Sequence, residues 1–126
     1  CTSVIAMKGY IVLGAVLKLE RGDGEKIKTY MDELKEKRVT KQPLEYPSAG
    51  STFKRPEGSY ASLLIEQCGL KGLNVGGAEV STKHSGFVIN KGGATFEDVI
   101  ELTDKVKKCV YEKTGYSLEL EPIILK

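Results

Sequence analysis

Few side chains in this sequence have the types and setting that could do chemistry, and they cluster in four places. Ser51 stands in "PSAGSTFKRPEG", residues 47–58, directly after a glycine and between two prolines. Lys54 and Arg55 follow it, two adjacent cations suited to a phosphate or a carboxylate, or equally to a solvated basic turn. His84, the single histidine, leads into the apolar run of "KHSGFVIN" as a ligand or as a surface residue. Glu121 falls on the polar side of the alternating run "YSLELEPIIL", where a solvent-facing carboxylate is the ordinary reading. The glycines at 69, 72, 76 and 77 either make turns or let backbone approach a ligand closely. No P-loop, HExxH, CxxC or GxGxxG is present. On residue types and spacing alone, the sequence defines a soluble domain with a candidate anion site.

The elements that must position these residues read as follows. "YIVLGAVLKL", 10–19, is β-branched and apolar enough for a largely buried strand. From Glu25 to Arg38, Ile27, Tyr30, Met31 and Leu34 recur at helical spacing, which predicts an amphipathic helix. Pro43 and Pro47 make "RVTKQPLEYPSAG" an extended connector, with a domain boundary near Thr40. A helix over 59–67 buries Leu63, Leu64 and Cys68 and stops at Gly69. "LKGLNVGGAEVS" predicts a tight passage into a short strand, and "SGFVIN" a second strand turned by "KGG". Thr95 caps the last helix with Asp98 three residues on; Val99, Leu102, Val106, Cys109 and Val110 form its buried face and Gly115 ends it. "YSLELEPIIL" closes the chain as a strand with Leu118 and Leu120 on one face and Glu119 and Glu121 on the other. The irregular order of strands and helices predicts an α+β fold with helices packed on a mainly antiparallel sheet.

The bulk numbers bound the class. A chain of 126 residues can bury a core as a single domain. A net charge of +2 argues against nucleic acid or an anionic membrane as the main partner, and no apolar run reaches the roughly 20 residues of a membrane helix. Cysteines at 1, 68 and 109 lack metal-ligand spacing, so no metal site is expected. Cys68 and Cys109 read as buried free thiols of a reducing, cytoplasmic compartment. The missing initiator Met and signal pattern suggest a piece of a longer polypeptide.

Read together, "KQPLEYPSAGSTFKRPEG", "LIEQCGLKGLNVGGAEVSTKHSGFVIN" and "LELEP" resemble, in order and spacing, the C-terminal part of the UDP-N-acetylenolpyruvoylglucosamine reductases. These are flavoenzymes of peptidoglycan synthesis, also called UDP-N-acetylmuramate dehydrogenases. The resemblance covers nearly the whole chain, and the absence of a tyrosine-bearing loop after "FKRPEG" is similar to the shorter type of the family. It implies that residues 1–40 end a flavin-binding domain, leaving a strand-helix remnant, and that 41–126 form the substrate-binding domain. It also implies FAD, held mainly by a missing upstream part, NADPH as reductant, and UDP-N-acetylglucosamine enolpyruvate as substrate. Ser51 would be the proton donor to the enolpyruvyl carbon, and Glu121, protonated, would stabilise the enol or enolate. Lys41, Arg55 and His84 would contact the substrate. After Glu121 the sequence has Pro122 and Ile123 where the family often has a valine and a cation. A stand-alone, non-catalytic UDP-sugar-binding module is the competing expectation.

Overall fold

The computed structural model describes residues 8–125. The elements run in the order α1 (Gly24–Lys41), β1 (Ser48–Ser51), α2 (Ala61–Gln67), β2 (Asn74–Val75), β3 (Ala78–Val80), β4 (Phe87–Asn90) and α3 (Phe96–Thr114). The strands form one antiparallel sheet in the order β1-β4-β3-β2, so the architecture is α+β. No helix among the described residues is long and apolar enough to cross a membrane. The chain divides into two compact units between Asp32 and Glu33.

In the first unit the strand expected at 10–19 does not form. These residues pair with no strand among the described residues, and Val16 is 100% exposed. Apolar β-branched composition favours a strand only where a neighbour completes its hydrogen bonds. Asp23 starts α1 by accepting from the amides of Glu25 and Lys26 at 3.0 and 3.3 Å, two donors a helix start leaves open. The expected inner stripe of α1 is not buried: Ile27, Tyr30 and Met31 are all exposed, as is Leu34 beyond the division.

In the second unit α1 continues three residues past Arg38 to Lys41, and only then does Pro43 stop it, so the connector is shorter than expected. The core lies between the sheet and the helices α2 and α3. Leu102, Val106 and Val110 of α3 are fully buried, along with Val80 of β3 and Ile65 of α2. Each such aliphatic side chain contributes roughly 1.5–3 kcal/mol by leaving water. The expected face of α3 therefore holds, with Val99 and Cys109 at its edges. Thr95 and Asp98 form the full capping box, and Gly115, at φ +75°, ends the helix in the left-handed conformation. In α2 the phase differs from expectation: Ile65 points inward while Leu63 is exposed. Its end is a Schellman motif at Gly69, whose amide donates to the Glu66 carbonyl while Leu70 donates to Ile65.

Two features of the second unit set up its loops. Gly76 and Gly77 turn the β2–β3 hairpin. A Cβ on Gly77 would collide with the backbone of Gly92 and Ala94, so only glycine lets the hairpin lie against the loop entering α3. The terminal run meets the segment after β1 through a single isolated bridge, Phe53 to Leu120, rather than as a full strand. Leu118 is buried and Glu119 and Glu121 are exposed, as their alternation predicts.

Candidate functional site

The site is built around the end of β1. Ser48 lies opposite Ile89 and Ser51 opposite Phe87, so β1 spends one residue more than β4 over the same interval. The extra residue makes a bulge at Ala49 and Gly50, and Gly50 takes φ +81°. This is the local reason for a glycine before Ser51. Ser51 is exposed at the strand's end and lines a cleft of about 590 Å³ with Arg38, Gln42, Tyr46, Ser48 and Phe87.

One floor of this cleft is the segment 42–46. Arg38 donates from Nε to Gln42 Oε1 at 3.2 Å, holding the helix end against the turn that follows. Lys83 reaches Glu45 at 3.2 Å and ties that turn to the loop before β4. The Glu45 carboxyl is held below its ordinary range by its own backbone amide first and by Lys83 second. Lys91 lies over the Tyr46 ring, 5.3 Å from its centre.

Glu121 reaches the same neighbourhood from the far end of the sequence. The chain from 52 to 54 pairs with 119 to 121: Lys54 N–H donates to Glu119 O at 2.8 Å and Glu121 N–H donates to Thr52 O at 3.0 Å. Glu121 is thus bonded to the residue immediately after Ser51. Its side chain is exposed. Leu120, Pro122 and Ile123 line a second, largely apolar groove of about 630 Å³ with β1, β4 and the start of α3.

The remaining candidates are dispersed. His84 is half-buried and meets Phe87 edge-on, with ring centres 5.0 Å apart. Its Nδ1 accepts from Gly86 N–H at 3.1 Å, leaving Nε2 as the ring's donor. His84 is not among the residues lining the Ser51 cleft. Arg55 stacks 4.0 Å over the Tyr60 ring and faces a different cleft, of about 370 Å³, with Lys54, Tyr116 and Glu119. Lys41 is exposed at the last turn of α1; its neighbour Gln42, not Lys41, lines the Ser51 cleft. Arg38, Gln42, Tyr46 and Phe87 are the cleft residues that sequence reasoning missed. The spacing of Arg38 and Gln42, one helical turn apart, would have marked them had the helix been extended to Lys41.

The described residues contain no group of three or more metal-ligating side chains. At the helix starts, Asp23 takes the Glu25 and Lys26 amides of α1, and Thr95 takes the Asp98 amide of α3.

The α+β fold of this domain is also that of a known family. Residues 42–125 match the family model of the UDP-N-acetylenolpyruvoylglucosamine reductase C-terminal domain. The chain belongs to that family. It is 56% identical over 124 residues to the UDP-N-acetylenolpyruvoylglucosamine reductase of Clostridium tetani, covering 98% of this chain and 40% of that protein. It is 58% identical over 116 residues to that of Caldanaerobacter subterraneus, covering 92% of this chain and 38% of the other. The crystal structure of the reductase from Thermus caldophilus aligns with a TM-score of 0.68 at 41% identity, over 82% of this chain and 36% of that one. The chain thus spans about 40% of the length of the curated relatives it matches.

Proposed function

We propose that residues 41–126 form the substrate-binding domain of an oxidoreductase that converts UDP-N-acetylglucosamine enolpyruvate to UDP-N-acetylmuramate in peptidoglycan synthesis, and that residues 1–40 close its flavin-binding domain. The observation that carries this reading is the convergence of Ser51 and Glu121: 70 positions apart in sequence, they are brought together by the hydrogen bond from Glu121 N–H to the carbonyl of Thr52, the residue after Ser51.

Reducing a carbon–carbon double bond conjugated to a carboxylate requires a hydride on one carbon and a proton on the other. FAD and NADPH, which the family resemblance implies, supply the hydride chemistry when bound. The share proposed for this chain is the proton and the substrate. Ser51 gives up its hydroxyl proton to the carbanionic carbon. The enolate is a strong base, so the hydroxyl needs placement more than acidity, and the bulge that ends in Gly50 fixes where it points. Glu121 stabilises the enol form at the substrate carboxyl. Arg38 at the cleft wall and Lys41 beside it offer cations to the substrate's carboxylate or phosphates. Arg55 and His84 serve its more distant parts. Cys68 and Cys109 are free thiols, as in the cytoplasm.

The test is the chain itself. Purified residues 1–126 should be colourless, should not oxidise NADPH, and should still bind the enolpyruvyl nucleotide sugar by calorimetry, with Ser51→Ala retaining most of that affinity. Stoichiometric flavin absorbance in this chain would contradict the division of labour. A natural protein of this length that binds the nucleotide sugar would instead favour the non-catalytic module.

A further inference from the structure

Thr52, the residue just after β1, lies between the two residues just assigned, and its main chain and side chain are both hydrogen-bonded. It is 5% exposed. Its N–H donates to Gly86 O at 2.8 Å, its carbonyl accepts from Glu121 N–H at 3.0 Å, and its Oγ1 accepts from Val88 N–H at 2.9 Å. The last bond is the informative one. In an unbroken antiparallel pair Val88 would give its amide to a carbonyl of the facing strand. The bulge at Ala49 and Gly50 shifts the register, and a side-chain hydroxyl takes the carbonyl's place. Thr52 therefore bonds Gly86, just before β4, through its main chain and Val88 of β4 through its side chain, while its carbonyl holds the segment bearing Glu121.

We propose that Thr52 is a positioning residue: its hydroxyl closes the bulge that aims Ser51, and its carbonyl fixes Glu121 in register with it. This rests on the reading of Ser51 and Glu121 as the reacting pair. A threonine suits the place because its branched Cβ restricts rotation of the hydroxyl. Valine keeps that shape but sets a methyl group against the Val88 amide, which then has no acceptor.

The experiment compares Thr52→Val and Thr52→Ser with Ser51→Ala in the full-length reductase. Exchange at the Val88 amide, followed by mass spectrometry on the flavin-free protein, should speed by about ten-fold or more in Thr52→Val and much less in Thr52→Ser. Reoxidation of the reduced enzyme by the enolpyruvyl substrate should slow by about 10–100-fold in Thr52→Val, with KM for that substrate within about two-fold. Its solvent isotope effect should rise and its reduction by NADPH should be unchanged, while Thr52→Ser restores most of the rate. If Thr52→Val reoxidises at the wild-type rate while Ser51→Ala is slow, the positioning role is wrong and the serine's role stands. Equal slowing of both half-reactions in both Thr52 variants would make Thr52 a general folding residue and overturn the proposal. A wild-type rate in Ser51→Ala would remove the underlying reading instead.

Discussion

Gly50→Ala is the substitution whose cost is most directly set by the structure. At φ +81° the position lies where L side chains are disfavoured, yet a Cβ there would meet no atom within 4 Å. The penalty is therefore conformational and not steric, about 1–2 kcal/mol for a left-handed residue. Alanine also narrows the unfolded ensemble, which returns about 0.4–1 kcal/mol, so the net loss should be near 1 kcal/mol. For a domain of this size that is a fall in Tm of about 4–8 °C, read by circular dichroism on the chain. Gly77→Ala is the control with the opposite balance. Its φ is unremarkable, but its Cβ would strike the backbone of Gly92 and Ala94 and disturb the Lys91 N–H to Gly77 O bond of 2.9 Å. Overpacking and a disturbed hydrogen bond together should cost about 3 kcal/mol. The strain in Gly50→Ala can relax by rotating φ to negative values, which turns Ser51 away, so activity of the full-length enzyme should fall far more than stability. An unchanged Tm in Gly50→Ala, or a loss larger than that of Gly77→Ala, would refute the geometry of the bulge.

Two further outcomes follow from the packing of α3. Thr95→Ala removes the capping bond from Asp98 N–H and should cost about 1 kcal/mol in urea denaturation. The Asp98 carboxyl accepts from Thr95 N–H first and Gly77 N–H second, which holds its pKa below the ordinary 3.8. A depressed carboxylate stabilises the fold above its unfolded value and loses that contribution as pH falls through the folded one. Asp98→Ala should thus lower stability at pH 7, and the difference from wild type should shrink below about pH 4. For the thiols, burial pushes Cys68 up, with the neighbouring Cys109 adding to it, while Lys113 Nζ donates to the Cys68 carbonyl at 3.1 Å. A maleimide at neutral pH should label Cys109 about ten-fold or more faster than Cys68, and equal rates would mean that the α2–α3 contact opens readily.

What was legible in the sequence follows from how local each signal is. The capping box, the 3.6-residue periodicity and the terminal glycine of α3 all lie within one element, and all three hold. The phase of the seven-residue α2 was not readable, because Leu63, Leu64 and Ile65 are contiguous and too few to define one face. The run at 10–19 has strand composition, but pairing depends on a neighbour that no local pattern supplies. The bulge before Ser51 depends on the register with β4, and the approach of Glu121 on hydrogen bonds to residues nearly 70 positions earlier; neither leaves a periodic trace. The roles proposed for Ser51 and Glu121 come from motif resemblance, whereas the cleft neighbours Arg38, Gln42, Tyr46 and Phe87 emerged only when the chain was folded.

The central claim is that Ser51 supplies the proton. The most direct measurement is a stopped-flow comparison of the two half-reactions in the full-length reductase carrying Ser51→Ala. Bleaching of the flavin by NADPH should match wild type, and its recovery on adding the enolpyruvyl nucleotide sugar should slow by about 10²–10⁴-fold. Recovery at the wild-type rate would show that the proton comes from another group, and the account of this cleft would fall with it.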